Sequence, residues 1–221
     1  MFDLNKYLDA LIGECQRTFG PRLLYVGLQG SFMRGEAKED SDIDIMLVLD
    51  RLSVSDMDAY RAILERIGYK DKSCGFFCGR DDLLHWNPLE VCQLLHTTKD
   101  LYGKLSDYLP EATRQNEIDY VKLSLGNLYH ALCHRYIHAG RETSERKLRA
   151  CGKDLFFLIQ NLHFLESGSF VRTKRELSER VGERDRAMLN LSDLPDGYDF
   201  DSMFDAVIRW CQDAFVRIDR V

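Results

Sequence analysis

A glycine–serine turn and a closely spaced pair of aspartates lie within the fifteen residues from Gly30 to Asp44. The segment reads Gly-Ser-Phe-Met-Arg-Gly-Glu-Ala-Lys-Glu-Asp-Ser-Asp-Ile-Asp. A glycine lets the backbone approach a ligand closely, and the free N–H groups at the start of a helix attract anions such as phosphate. Neighbouring carboxylates attract a divalent cation. Together these features indicate a site for nucleotide chemistry.

Asp42 and Asp44 come at the start of an apolar run that continues to Leu49 and predicts a buried strand. Because residues i and i+2 of a strand point to one face, the two carboxylates are expected to lie side by side. Their mutual repulsion shifts their proton affinities, and a divalent cation removes that cost. Mg²⁺ favours a few carboxylates together with substrate phosphates.

A second apolar run, Leu23–Leu28, precedes the motif and predicts another strand. We expect a short helix from Phe32 onward, with its first N–H groups near Gly30 and Ser31. The Ser31 hydroxyl adds a donor that can rotate toward a ligand. The two strands and the turn between them are therefore predicted to position the site.

At these residues the chain resembles the nucleotidyltransferase superfamily, which includes DNA polymerase beta, kanamycin nucleotidyltransferase and the minimal nucleotidyltransferases. The signature of that superfamily is Gly-Ser, two residues, Arg-Gly, a short loop, and Ser-Asp-x-Asp. It stands here without departure as Gly30-Ser31, Arg34-Gly35 and Ser41-Asp42-Ile43-Asp44. The motif covers fifteen residues, and the matching order of elements covers about the first half of the chain.

The resemblance implies that Asp42 and Asp44 hold two Mg²⁺ ions and that Gly30 and Ser31 bind the terminal phosphates of ATP or another nucleoside triphosphate. Arg34 and Ser41, which complete the signature, are assigned to the same nucleotide site, with Arg34 mainly bracing the short helix.

Members of the superfamily also use a third carboxylate on a later strand beside the first two. We assign it to Glu90, the only acidic residue in the run Leu89–His96, which we interpret as a strand. Glu90 alternates there with Cys92 and Leu94, which suggests an inward-facing position. Glu90 is thus predicted as a metal ligand and as the general base. Asp81 and Asp82 are the alternatives, in a segment that is more typical of an exposed turn.

The composition predicts a cytoplasmic protein that does not bind nucleic acid nonspecifically. The seven cysteines are odd in number and scattered, which is typical of a reducing compartment. No apolar stretch is long enough to cross a bilayer, and the N-terminal residues lack the basic-then-apolar pattern expected of a signal segment. The net charge of −6 disfavours polyanion binding. The acidity lies mainly in the first half, with 13 basic and 18 acidic residues up to Pro110.

The predicted fold class is α+β. Residues 1–110 are expected to form a nucleotidyltransferase-type mixed β-sheet with flanking helices, opened by a helix that Asp3 caps. After Pro110 the apolar spacing changes from two residues to 3.6, so residues 111–221 are predicted to form a C-terminal α-helical bundle. We expect four helices there, two long ones that end near Gly140 and Gly168, a short one after Thr173, and a last one from Phe200.

Two features of the helical half are candidates for chemistry. Lys153, in the first turn of the second predicted helix, is assigned to the nucleotide site because it could contact a phosphate. His130, His134 and His138 follow one another at helical spacing, and a polar helix face is favoured over a metal site there because no further ligand is evident.

The sequence thus predicts an enzyme that moves a nucleoside monophosphate, AMP from ATP by preference, to a hydroxyl of an acceptor and releases pyrophosphate. A small-molecule acceptor such as an antibiotic is favoured. One alternative is an antitoxin-type enzyme that modifies a protein or RNA partner. Another is an inactive nucleotide-binding module, which gains weight if Glu90 does not lie beside Asp42 and Asp44.

Overall fold

The computed structural model describes residues 2–221 and divides into two compact units, Met1–Glu111 and Ala112–Val221. The first unit contains a four-stranded sheet with flanking helices, and the second is helical. The predicted α+β fold class is confirmed.

The sheet of the first unit is mixed and has the strand order β3-β2-β1-β4. β1 pairs antiparallel with both β2 and β4, and β2 pairs parallel with β3. The strands are β1 (Leu23–Leu28), β2 (Ile43–Leu49), β3 (Ser73–Gly79) and β4 (Lys99–Tyr102), and the helices are α1 (Leu4–Phe19), α2 (Gly30–Arg34), α3 (Val54–Ile67), α4 (Arg80–Leu84) and α5 (Pro88–Thr97). The parallel pair requires a crossover connection, and α3 lies in that connection.

The two faces of the sheet bury different residues of β2. Ile43, Ile45 and Leu47 pack with residues of α1 and α3. Met46 and Val48 point to the opposite face, where they pack in a smaller cluster with Tyr25, Cys78, Leu83 and Leu105. Because strand side chains alternate, Asp44 belongs to this second face. We call the face that carries Asp44, Met46 and Val48 the carboxylate face.

Side-chain caps and one ion pair fix the helices behind the sheet. Asp3 accepts a hydrogen bond from the Lys6 N–H at the start of α1, as predicted. At the start of α3, Asp56 accepts from the backbone N–H of Ser53 at 2.9 Å. Asp56 also accepts from both terminal nitrogens of Arg22, at 2.8 and 3.0 Å, and so joins α3 to the segment before β1.

The region from Leu89 to His96 is helical, so the predicted strand there is wrong. Asn87 caps α5 by accepting from the Leu89 N–H, and Pro88 occupies the first turn, where its missing N–H costs nothing. Val91 and Cys92 are the buried residues. In this helix Glu90 and Cys92 point to nearly opposite sides, and Glu90 is exposed while Cys92 is buried, so their alternation does not mark a common inward face.

The second unit is built from six helices, α6 (Arg114–His138), α7 (Arg141–Ala150), α8 (Gly152–Ser167), α9 (Lys174–Arg180), α10 (Glu183–Leu189) and α11 (Phe200–Ile218). Four helices were predicted. The second predicted helix is broken at Cys151, where the buried Gly152 lies against Ser192. The short α10 was not predicted. Thr173 caps α9 as expected, by accepting from the Glu176 N–H at 3.2 Å.

One arginine joins three helices of the second unit. Arg217 on α11 donates to both carboxylate oxygens of Glu166 on α8, at 2.8 and 2.9 Å. It also donates to both oxygens of the buried Asp185 on α10, at 2.8 and 3.0 Å. Trp210 Nε1 donates to Asp185 at 2.7 Å, so this buried carboxylate is fully compensated.

Among residues 2–221, no helix is long and apolar enough to cross a membrane.

Candidate active site

The aspartate pair lies where β2 begins. Ile43 and Ile45 are buried, while Asp42 is exposed and Asp44, between them, is partly exposed. The backbone N–H of Gln29 donates to the carbonyl oxygen of Asp44 at 2.8 Å, so the end of β1 is joined to the start of β2. The strand pairing thus holds Asp44 next to the turn that follows β1.

Gly30 is in direct contact with the carboxylate of Asp44. Its φ angle is +67°, and a Cβ atom placed on it would lie 1.8 Å from Asp44 Oδ2. Only a residue without a side chain fits both the backbone conformation and this distance. Ser31 follows in α2, whose first N–H groups have no partner within the helix. The phosphate-type turn and the carboxylates are therefore parts of one site.

The side-chain carboxylates of Asp42 and Asp44 accept no hydrogen bond from any residue in the range 2–221 and form no ion pair with one. Paired, partly exposed carboxylates that lack an internal partner can bind a cation with their free oxygens. Across the same described range, no group of three or more His, Cys, Asp or Glu side chains is arranged to hold a metal ion. The chain thus supplies two carboxylates, which fits Mg²⁺ bound together with substrate phosphates.

The other two signature residues stabilise the loop between α2 and β2. Arg34 Nε donates to Glu36 Oε2 at 2.8 Å. Ser41 Oγ accepts from the Lys38 N–H at 2.8 Å. These contacts stabilise the loop that leads into β2 and positions Asp42.

The comparisons with known proteins point to the same segment. The family model described as "Nucleotidyltransferase domain" matches residues 8–74, which include the turn and both aspartates. The N-terminal unit belongs to the nucleotidyltransferase superfamily. The predicted superfamily is confirmed.

Two curated relatives are similar to part of the chain. A putative protein adenylyltransferase of Methanocaldococcus jannaschii is 33% identical over 60 residues, which are 27% of this chain and 41% of the relative. The protein adenylyltransferase MntA of Thermococcus cleftensis is 40% identical over 50 residues, which are 23% of this chain and 48% of the relative. The chain therefore matches less than half of the length of either relative.

One solved structure is similar over nearly the whole chain. It is the spectinomycin adenyltransferase AAD(9) from Enterococcus faecialis, described with ATP and spectinomycin. It covers 98% of this chain and 100% of its own, with a TM-score of 0.59 and 11% sequence identity. At that identity the likeness shows a shared fold.

Glu90 does not occupy the position predicted for it in the nucleotidyltransferase unit. It is exposed on the first turn of α5, where its Oε2 accepts from Trp86 Nε1 at 2.7 Å. It is not part of a metal-binding group with Asp42 and Asp44 among the described residues. Asp82, one of the alternatives, accepts from the Gly79 N–H and caps α4. The three-carboxylate set predicted from the sequence is therefore not assembled.

The two edge strands of the sheet, β3 and β4, supply other residues to the carboxylate face. On β3 the residue in register with Asp44 is Cys74. On β4, Asp100 is in register with Gly27, which is itself in register with Met46, so Asp100 lies on the carboxylate face. Tyr25 Oη donates to Asp100 at 2.7 Å. Burial, and then the hydrogen bond to Asp100, raise the pKa of Tyr25, so Tyr25 remains a donor.

Sequence reasoning missed Asp100 because β4 is a short strand of four residues with charged, exposed side chains at its start. A signal was nevertheless present. Two threonines precede it, and Gly103 ends it, with φ +74°. Such β-branched residues followed by a glycine are typical of a strand and the turn that ends it.

The candidates in the helical unit lie on exposed surfaces. Lys153 is exposed in the first turn of α8. His130, His134 and His138 are exposed on α6, with adjacent ring centroids 6.1 and 4.7 Å apart. No third ligand joins any two of them within residues 2–221. Their arrangement is that of a polar helix face.

The helical unit also contains a cavity of about 360 Å³ between α6 and α8. Its lining includes Ser124, Asn127, Arg135 and Asp154. The cavity therefore combines polar and apolar lining residues and is large enough for a small organic molecule.

Proposed function

We propose that the chain is a nucleotidyltransferase that transfers AMP from ATP to a hydroxyl of an acceptor and releases pyrophosphate. The observation that carries the proposal is the contact between Gly30 and the carboxylate of Asp44, beside the unpartnered Asp42. Because of this contact, the Gly30-Ser31 turn, which we propose binds phosphate, lies beside the carboxylates that we propose bind the metal. The adenylyltransferase names of both curated relatives support AMP as the transferred group.

The proposed roles follow from the position of each group. Asp42 and Asp44 would hold Mg²⁺, which we expect as two ions, with triphosphate oxygens completing the coordination. When bound, Mg²⁺ neutralises charge on the triphosphate and lowers the pKa of the acceptor hydroxyl. The N–H groups of Gly30 and Ser31 and the Ser31 hydroxyl would bind the phosphates. Arg34 and Ser41 would support the loop, and Lys153 stays a proposed phosphate contact.

A hydroxyl-bearing small molecule is the favoured acceptor. The whole-chain likeness to a spectinomycin adenyltransferase and the cavity of the helical unit support it. A protein acceptor is the second candidate, because both curated relatives are named protein adenylyltransferases. Incubation of the chain with labelled ATP and a cell extract separates the two. A labelled small molecule favours the first candidate, and a labelled protein band favours the second.

The proposed chemistry is tested by pyrophosphate release with Mg²⁺ and ATP in the presence of pooled antibiotics and cell extract. The double variant Asp42→Asn/Asp44→Asn should lose at least a hundredfold in rate while it unfolds at the temperature of the unmodified chain. Asp58→Asn, which removes an exposed acid on α3, is the matched control and should retain the rate. Turnover by the double variant at the unmodified rate would refute the mechanism.

The third reading, an inactive nucleotide-binding module, gains some support from the position of Glu90. ATP binding without turnover against any acceptor would favour it.

We also propose a reducing cytoplasm as the location, because all seven cysteines are free thiols.

A further inference from the structure

We propose that His134 and His138 form a binding site for a transition-metal ion such as Zn²⁺ or Ni²⁺ on the surface of α6. The two residues are one helical turn apart, so both side chains project from the same side of the helix. Imidazole is a ligand for Zn²⁺, Cu²⁺ and Ni²⁺, whereas Mg²⁺ prefers oxygen. This site takes a different class of metal from the proposed nucleotide site, and its existence does not depend on nucleotidyl transfer.

The separation of the two rings matches chelation of one ion. With a metal–nitrogen distance of about 2.1 Å, the centroid of an imidazole ring lies about 3.2 Å from an ion in the plane of that ring. Two such ligands at an angle of about 90–109° around the metal, as in octahedral or tetrahedral sites, have centroids about 4.5–5.2 Å apart. The centroids of His134 and His138 are 4.7 Å apart.

The preceding pair on the helix does not meet this condition. The ring centroids of His130 and His134 are 6.1 Å apart. One ion between them would need an angle of about 145° at the metal, which is far from both the octahedral and the tetrahedral value. The geometry therefore selects His134 and His138 from the three histidines.

Both rings are available to a ligand. His134 and His138 are exposed, and among the described residues neither forms a hydrogen bond or an ion pair. Within the same described range no third His, Cys, Asp or Glu side chain joins them. Water or a small ligand would therefore complete the coordination, so the site is open to solvent and its ion is exchangeable.

The charges around the pair favour a cation. His138 is the last residue of α6, and the partial negative charge at the C-terminal end of a helix attracts cations. Arg141, which begins α7, pairs with Glu145 and Asp201 at 3.0 and 2.9 Å, so its charge is balanced. The side chain of Arg135 lines the cavity between α6 and α8. The net charge of −6 on the chain acts in the same direction as the helix end.

A pair of solvated histidines that binds no metal makes a different prediction. In that case each ring acts alone, and the loss of either one changes the affinity for a metal chelate little. Chelation requires both rings, so each single substitution should remove the binding. His134→Asn and His138→Asn keep a polar side chain at an exposed position, so both variants should fold.

The experiment is calorimetric titration of the full chain, without an affinity tag, with Ni²⁺–nitrilotriacetate. This chelate leaves two neighbouring positions open on an octahedral ion, so it selects paired imidazoles. We expect saturable binding of one chelate per chain. His134→Asn and His138→Asn should each weaken it at least tenfold, and the matched control His130→Asn less than threefold. Circular dichroism confirms that each variant is folded.

Thermal unfolding with Zn²⁺ alone gives a second readout. An ion that binds only the folded helix stabilises the chain. Zn²⁺ should therefore raise the Tm of the unmodified chain more than that of His138→Asn. Binding of Zn²⁺ to the exposed thiol of Cys74 would affect both proteins equally.

Three outcomes would overturn the proposed metal site. These are no binding of the nickel chelate, an affinity of His134→Asn or His138→Asn within threefold of the unmodified chain, or equal losses of affinity in His130→Asn and His138→Asn. Titration with ATP and Mg²⁺ tests the nucleotide site separately, so failure of either proposal leaves the other standing.

Discussion

Gly30 has a positive φ and lies against the carboxylate of Asp44, so a substitution there would affect both the backbone and the proposed metal site. Gly30→Ala places a Cβ 1.8 Å from Asp44 Oδ2, so either the turn or the carboxylate must move. We predict at least a tenfold loss of affinity for ATP with Mg²⁺, measured by calorimetry. The positive φ adds about 1–2 kcal/mol of strain to the folded state.

Gly35→Ala is the matched control for that substitution. Gly35 has a φ of +72°, but a Cβ there would meet nothing within 4 Å. The control should lose about the same stability while it retains affinity for ATP. Equal losses of affinity in both variants would show that the Gly30–Asp44 contact has no special role.

Asp56 provides a prediction about pH. Hydrogen bonds from Arg22, and then from Ser53, hold the pKa of Asp56 well below its usual range. Since the folded pKa lies below the unfolded value of about 3.9, the carboxylate stabilises the fold above about pH 4 and loses this effect as the pH falls further. Asp56→Asn should cost about 1.5–3 kcal/mol at pH 7 and less at pH 3. Urea unfolding at both pH values measures it.

The outcome that contradicts this account of Asp56 is a difference in stability between the variant and the unmodified chain that does not change with pH. Asp58→Asn serves again as the control, because its pair with Arg61 is exposed on both sides. Its effect should stay below about 0.5 kcal/mol at either pH.

At the scale of helices, Arg217 is predicted to be central to the second unit. Arg217→Met removes the charged partner of the buried Asp185 on α10 and the hydrogen bonds from α11 to Glu166 on α8, while Trp210 still donates to Asp185. Leaving a buried charge uncompensated costs about 3 kcal/mol. Arg209→Met on the same helix breaks an exposed pair with Asp205 and should cost about 0.5 kcal/mol or less. Similar effects of the two variants in chemical unfolding would argue against the network.

The elements that carry the motif were predictable from the sequence, whereas the elements around them were less so. β1 and β2 are the two central strands of the sheet and are buried along nearly their whole length. Each therefore appears in the sequence as a continuous run of apolar residues. The run from Leu89 to His96 has a pattern that suits both a strand and a helix. Asn87 and Pro88, which precede this run, are typical of a helix N-terminus, so they indicate the helix rather than the strand.

The placement of the third acidic residue could not be predicted because it depends on that choice. With the helix assigned, Glu90 lies in the exposed first turn of α5 beside Trp86. Asp100 on β4 is then the acid that the sheet carries besides Asp44. β4 is identified by its pairing with β1, which is a contact between distant parts of the chain. Local propensity carries little information about such a short edge strand.

At the scale of the whole chain, each unit has its own hydrophobic core. The clusters around Leu11 and Tyr25 belong to the first unit, and that around Leu125 belongs to the second. Binding of ATP with Mg²⁺ should stabilise the chain by about 2.7 kcal/mol at a ligand concentration a hundred times the Kd. Scanning calorimetry should show a rise in Tm that EDTA abolishes. An equal rise with EDTA present would mean that binding needs no metal.

The measurement that tests the central claim most directly is calorimetric titration of ATP into the unmodified chain and into Asp42→Asn/Asp44→Asn, each with Mg²⁺. The account predicts saturable binding to the unmodified chain and at least a tenfold loss in the folded double variant. Equal affinity in the two proteins would contradict it, because the paired carboxylates at the start of β2 would then have no part in binding the nucleotide.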